Sequence, residues 1–214
     1  TKERRALTVD EILLIFDAAP DYLRPALQLY LQTGIRRTEL VSLLFDDVDL
    51  QRKLITIRAE NTKSKKQREI PIDDAMAETI ADLQHDAPFR APTPRTREGR
   101  LSKEHVFVGE ANTPYSNNLL RAFYAVCRRV GIEDAYPGGS IDIHALRGTY
   151  VTVAVDHGAN PKAVQATVGH STLNMTMNVY AKTSDRSKRE ALAVLPYTSS
   201  STPDVLSLEA ARTG

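Results

Sequence analysis

A single change in hydrophobic period constrains the fold of this 214-residue chain more than any other feature. Before residue 53 and after residue 73, apolar residues mostly recur at helical spacing. Residues 53–58 (KLITIR) are instead rich in β-branched side chains, and residues 68–72 supply a second such run after a polar, basic turn. We therefore predict a mainly α-helical fold with a small antiparallel β-sheet (α+β), which includes one hairpin with a basic tip.

Start and stop signals place most of the helices. Thr8 and Glu11 form a capping box that opens the first helix, and Pro20 ends it. Asn160 followed by Pro161 opens a later helix, which runs to about Val168. A helix that starts after Ser171 or Thr172 carries Tyr180. Further helices are predicted over residues 22–32, 36–44, 74–85, 117–130 and 184–195.

The segment after Ile143 gives conflicting signals. Its β-branched run, residues 149–155 (TYVTVAV), favours a strand, and Gly148 costs a helix about 1 kcal/mol relative to alanine. Leu146, Tyr150 and Ala154 nevertheless recur at helical spacing, and His157-Gly158 is a good helix stop. We therefore predict a helix that depends on tertiary packing.

Composition narrows the function classes. The net charge is +1, which indicates no particular partner, although lysines and arginines cluster locally. The single cysteine, Cys127, rules out an intrachain disulfide and fits a reducing cytosol. Neither a membrane-length apolar run nor a secretory signal is present, and zinc-ligand, Walker A and GxGxxG motifs are absent from the sequence. We expect neither a metal nor another cofactor, and no membrane partner.

A second feature concerns chemistry: His144, Arg147, His170 and Tyr180 follow one another within residues 144–180. The arginine fork fits phosphate oxygens, histidine moves protons near neutral pH, and tyrosine can serve as a covalent nucleophile. Taken singly, each is more often a structural residue. Arg36, for example, could simply pair with Glu39, and Lys63 could be an ordinary solvated charge.

In their order along the chain, these motifs resemble the catalytic domain of the tyrosine recombinase (integrase) family. The resemblance covers residues 8–195 and rests on five short motifs: TGIRRTEL at 33–40, TKS at 62–64, HALR at 144–147, GHST at 169–172, and the tyrosine ten residues after His170. One departure is Gly148, where the family commonly has a histidine in a supporting role. The matching catalytic positions are Tyr180, Arg36, Lys63, His144, Arg147 and His170; Lys65 is a less favoured register for the hairpin lysine.

The resemblance implies a site-specific DNA recombinase that works through a 3′-phosphotyrosyl intermediate, without metal or ATP. Tyr180 would be the nucleophile, His144 the base, and Lys63 the acid for the 5′-hydroxyl. Arg36 and Arg147 would clamp the phosphate oxygens, with a further hydrogen bond from His170. Two alternatives remain open: a type IB topoisomerase-like or telomere-resolving enzyme with the same chemistry, and a catalytically silent DNA-binding regulator.

The resemblance also implies a partner and a domain plan. The partner is double-stranded DNA, which a homotetramer would bind at two synapsed sites. The isolated fragment would be monomeric. The protein would act in the bacterial cytoplasm, at the nucleoid. Residues 1–196 would form the catalytic domain, residues 197–214 a tail that docks on a neighbouring subunit, and an N-terminal core-binding domain would be missing. The expected DNA contacts are Lys65, Lys66, Arg68, Arg121 and Lys182.

Overall fold

The computed structural model describes residues 4–62, 65–89 and 104–183, with side chains up to residue 180. The helices in chain order are α1 (Val9–Ala18), α2 (Arg24–Thr33), α3 (Arg37–Val41), α4 (Asp74–Asp86), α5 (Asn117–Arg129), α6 (Ile143–Asp156), α7 (Pro161–Val168) and α8 (Leu173–Thr183). The strands are β1 (Val48–Asp49), β2 (Leu54–Ile57) and β3 (Arg68–Pro71). The predicted class, mainly α with a small antiparallel sheet, is confirmed.

The sheet is a three-stranded antiparallel ribbon in the order β1-β2-β3. Its predicted hairpin pairs Ile55 with Ile70 and Ile57 with Arg68. This register sends Ile55 and Ile70 into the core and leaves Glu69 exposed. The first strand was not predicted, because two residues are too few to show a period.

Helix ends follow the local signals. The Thr8–Glu11 capping box and the Asn160 and Asp73 caps are all formed. The α2 helix ends at Gly34, which adopts the left-handed conformation with a φ of 59°. The third helix is shorter than predicted, since the chain leaves helical geometry at Ser42.

The main hydrophobic core lies between the first five helices and the sheet. Its fully buried members come from each of these elements, for example Ile15, Leu27, Ile55, Met76 and Phe123. Burial of such side chains is the dominant favourable term in folding. The core therefore fixes α2, the sheet and the turn that connects α2 to α3.

The predicted helix over the β-branched segment is confirmed as α6. Its Val151 forms a second, smaller core with Val164 and Val168 of α7, against which Val179 of α8 packs. Gly148 faces α8: a Cβ there would be in ordinary van der Waals contact with the Val179 side chain, at 3.9 Å. Tertiary packing thus overrides strand propensity here.

Several predictions fall outside the described residues. They are the helix over residues 184–195, the tail over residues 197–214, and Lys63. For Lys182 the backbone lies in α8, but its side chain is also outside the described part of the chain.

Candidate active site

The turn between α2 and α3 is where two arginine motifs meet. Arg147, in the middle of α6, donates from its guanidinium to the carbonyl oxygen of Gly34. A Cβ on Gly34 would lie only 2.7 Å from the Tyr150 ring and 2.9 Å from Val168. Glycine is therefore needed both for the positive φ and for close packing. This contact places Arg147 beside Arg36, two residues further along.

Glu39 organises the arginines at this turn: its pairing with Arg36, the local alternative considered for that arginine, is formed, whereas its pairing with Arg68 was not predicted. Its side chain is fully buried, and its carboxylate accepts from the Arg36 backbone N–H at 2.9 Å and from the Arg36 guanidinium at 3.0 Å. Arg68 of β3 donates to both carboxylate oxygens, at 2.9 and 2.7 Å. Burial disfavours the charged carboxylate, but the hydrogen bonds and charges of Arg68, with those of Arg36, outweigh it and lower the pKa of Glu39.

Arg68 occupies an internal position, whereas the sequence suggested a DNA contact. Besides its fork on Glu39, its Nε donates to the carbonyl of Thr167 at 3.0 Å, and 14% of its side chain is exposed. Arg36 donates to the neighbouring carbonyl of Gly169. Both guanidiniums therefore bind the C-terminal end of α7, where helix carbonyls lack intrahelical partners and cations are favourable.

The turn after α7 carries His170. Gly169 caps the helix with a φ of 68°, and a Cβ there would lie 2.9 Å from the Arg68 guanidinium carbon. The His170 backbone is anchored in both directions to Gln165 of α7. Its ring Nδ1 lies 2.9 Å from the hydroxyl of Thr176.

Asp142 fixes the start of α6 and hence the position of His144. Its carboxylate caps the helix by accepting from the backbone N–H groups of His144 and Ala145, and it pairs with Arg4 at 2.7 Å. Partial burial lowers the pKa of His144 and the Asp142 carboxylate opposes the shift, although the residue keeps much of its surface exposed to solvent. His144 therefore lies at the start of α6 in a solvent-accessible position that favours its neutral form.

The electrostatics of the site indicate a place for an anion. Burial, with the Arg36 charge nearby, lowers the pKa of Arg147 to about 9. Burial and the charges of Arg147 and Arg36 lower the pKa of His170 to about 4. Since the Arg36 charge disfavours the Arg147 cation, an anion bound near both residues would relieve their repulsion.

Tyr180 lies on α8, which packs on α6 through Val179 and Gly148. Its side chain is half-buried. Arg147 lies within electrostatic range of Arg36, His144 and His170, and Arg36 also lies within range of His170.

The remaining predicted DNA contacts lie on the surface. Lys65, which has a φ of 55°, and Lys66 are exposed beside the hairpin tip, and Arg121 is exposed on α5. Within residues 4–62, 65–89 and 104–183, no group of three His, Cys, Asp or Glu side chains could hold a metal ion. No helix in that part of the chain is long and apolar enough to span a bilayer.

Comparison with known proteins adds a family and a fold. The model of the phage integrase family matches residues 5–187. Tyrosine recombinase XerD of Neisseria meningitidis serogroup A / serotype 4A is 31% identical over 166 residues, which are 74% of this chain and 52% of that protein. The chain spans about half the length of the curated relatives it matches.

Two solved structures illustrate the fold. The catalytic domain of bacteriophage HP1 integrase superposes with a TM-score of 0.59 at 25% identity, covering 93% of this chain and 99% of that one. The Tn1549 transposon integrase, solved in complex with a circular intermediate DNA, gives a TM-score of 0.69 at 23% identity. The match covers 91% of this chain and 67% of that one.

Proposed function

The chain belongs to the phage integrase family, and from this membership and its site we propose that it is the catalytic domain of a site-specific DNA recombinase. Members of this family cleave and rejoin DNA. The finer proposal is that this chain does so through a covalent 3′-phosphotyrosyl link to Tyr180. The protein would act on chromosomal or mobile DNA in the bacterial cytoplasm, at the nucleoid.

One observation carries the proposal: Arg147 is bonded to the Gly34 carbonyl, two residues before Arg36, and the pKa values of both His144 and His170 are lowered in this surrounding. The carboxylate of Glu39 accepts hydrogen bonds from Arg36 and Arg68, whereas Arg147 gains only the more distant charge of Glu39 and a hydrogen bond to the Gly34 carbonyl. A phosphodiester offers two non-bridging oxygens, which match two guanidiniums. The pair would stabilise the charge that builds up on those oxygens in the transition state.

The reaction then needs two proton transfers. The Tyr180 oxygen attacks phosphorus while its proton passes to His144, which is neutral and solvent-accessible. The phosphorus–O5′ bond breaks, and the departing 5′ oxygen takes a proton from the hairpin lysine, Lys63. His170 donates a hydrogen bond to a phosphate oxygen. The new ester conserves the phosphodiester bond energy, so a 5′-hydroxyl can reverse the step without ATP.

DNA binding would rely on phosphate contacts from exposed cations near the site. Lys65, Lys66 and Arg121 meet this description, and Lys182 follows Tyr180 by two residues. The Tn1549 transposon integrase has been solved on DNA, and its fold is shared by this chain. We further propose that the whole protein assembles as a tetramer on two synapsed sites.

The test is covalent capture on a nicked suicide substrate, in which cleavage releases a short oligonucleotide and blocks religation. Wild-type protein in EDTA and without ATP is expected to give an adduct that migrates slowly on a denaturing gel. Tyr180→Phe should bind the same DNA and give none, because it lacks the nucleophilic oxygen. Tyr197→Phe is the matched control and should react normally, because Tyr197 follows Pro196 and lies outside the five motifs. An adduct in Tyr180→Phe would refute the assignment.

A further inference from the structure

Thr176 stands out among the buried polar residues. It lies in α8, one helical turn before Tyr180, and none of its surface is exposed. Its hydroxyl oxygen lies 2.9 Å from Nδ1 of His170. A buried hydroxyl on the helix of the proposed nucleophile therefore contacts the ring of a second proposed catalytic residue.

Other helical threonines use their hydroxyls differently. Thr79, Thr149 and Thr167 each donate to the carbonyl four residues earlier in their own helix, at 2.8, 2.9 and 3.1 Å. That local bond is the ordinary solution for a threonine in a helix. Thr176 instead directs its hydroxyl out of α8 and across to the turn after α7.

The direction of this hydrogen bond and the tautomer of His170 are coupled, because a threonine hydroxyl can donate to Nδ1 or accept from it. Burial between two guanidiniums keeps the ring neutral, so it has a single N–H. If the Thr176 hydroxyl donates to Nδ1, that N–H must be on Nε2. Only this tautomer allows Nε2 to donate to a phosphate oxygen, as the proposed reaction requires.

The same bond connects two elements that approach the phosphate separately. The His170 backbone is tied to Gln165 of α7, whereas its ring is held from α8. Residues four apart lie on the same face of a helix, so Thr176 and Tyr180 face the same side. Docking the hydroxyl on His170 therefore also seats the helix that presents Tyr180.

We propose that Thr176 is a positioning residue of the recombination reaction: its hydroxyl donates to Nδ1 of His170, fixes the Nε2–H tautomer and docks the tyrosine helix. This inference rests on the proposed function. It adds a residue that none of the sequence motifs had singled out.

The kinetic test uses an isosteric pair. Thr176→Val keeps the shape and removes the hydroxyl, whereas Thr176→Ser keeps the hydroxyl. Single-turnover cleavage of the suicide substrate at saturating protein should be about 10- to 100-fold slower for Thr176→Val, the range known for hydrogen-bond partners that orient metal-binding histidines. Thr176→Ser should stay within about threefold of wild type, and the DNA dissociation constant should change little in both. Thr79→Val is the control for losing a helical threonine hydroxyl. Equal rates in wild type and Thr176→Val would overturn the proposal.

A double-mutant cycle separates positioning from simple structural support. In a His170→Ala background, Thr176→Val should cause no further loss of rate, because the group that it orients is gone. If the fold-loss of rate in the double variant equalled the product of the two single losses, Thr176 would act independently of His170, and the proposal would be overturned.

A third measurement does not depend on cleavage. If the wild type forms no adduct, the proposed function fails, but the tautomer of His170 can still be measured. Two-bond proton–nitrogen NMR spectra of the histidine-labelled protein, with His170 assigned through His170→Gln, should show a bare Nδ1 and a protonated Nε2 at pH 7. Thr176→Val should show a mixture of tautomers. A protonated Nδ1 in the wild type would overturn the inference.

Discussion

Replacing Arg68 by leucine should cost far more stability than replacing another arginine of the sheet region. Arg68 gives three hydrogen bonds: two to the buried carboxylate of Glu39 and one to the Thr167 carbonyl. Leucine leaves the carboxylate with Arg36 as its remaining charged partner. Breaking a buried ion pair from one side costs about 3–5 kcal/mol, because the other charge stays buried.

The control is Arg52→Leu. Arg52 pairs with Glu69 at 3.7 Å, and both side chains are largely exposed, at 63% and 47%. An exposed pair of this kind contributes about 0–1 kcal/mol. The two variants remove the same chemical group, so the difference between their losses of stability reports the effect of burying the ion pair.

The assay is thermal unfolding followed by circular dichroism. For a domain of this size, 1 kcal/mol shifts the melting temperature by about 2–4 °C. Arg68→Leu should therefore melt roughly 6–20 °C below wild type, and Arg52→Leu at most about 4 °C below. Equal shifts would refute the view that Glu39 and Arg68 form a buried structural pair. If Arg68→Leu instead kept the wild-type stability and showed a much smaller slope of log DNA affinity against log salt, Arg68 would be a DNA contact.

Three further predictions concern the same region. Gly34→Ala should lower the free energy of unfolding by about 2–4 kcal/mol in urea titrations, since it strains a positive φ and meets Tyr150 at 2.7 Å; an unchanged midpoint would contradict this packing. Glu39→Gln should destabilise the protein most at neutral pH. Because the folded-state pKa of Glu39 is lowered from 4.5, its stabilisation is complete above that value and is lost as pH falls through the lowered pKa, so the gap in melting temperature should narrow in acid; a constant gap would count against an ionised Glu39. Lys66→Gln should reduce the slope of log affinity against log salt by about 0.9, measured by fluorescence anisotropy, whereas a slope equal to wild type would exclude a phosphate contact.

The fold was largely predictable because its signals are local. Caps such as Thr8, Asp73 and Asn160 rely on side-chain bonds to nearby backbone groups, and the hairpin relies on a change of period. The two-residue β1 lies below the length at which period is visible. Helix α6 shows the limit of propensity, because its β-branched residues are held helical by contacts with α7 and α8.

The residues that support the site were harder to predict from the sequence than the motifs of the site itself. Glu39 was considered only as a local partner of Arg36, yet it is the buried anion around which both Arg36 and Arg68 are arranged. The spacing of Arg36 and Glu39 permitted a local pair, but only the fold brings Arg68 to the same carboxylate from 29 residues away. Thr176 could not be predicted for the same reason, since its partner His170 lies in the turn after α7 and not in α8.

The central claim is that this phosphate site delivers Tyr180 to DNA, and the most direct measurement is mass spectrometry of the trapped adduct. After suicide cleavage and digestion with nuclease and trypsin, the peptide that contains Tyr180 should carry a nucleotide through a 3′-phosphoryl group. Fragmentation should place the added mass on the Tyr180 side chain. Attachment to Tyr197 or to any other residue, with an unmodified Tyr180 peptide, would contradict the account.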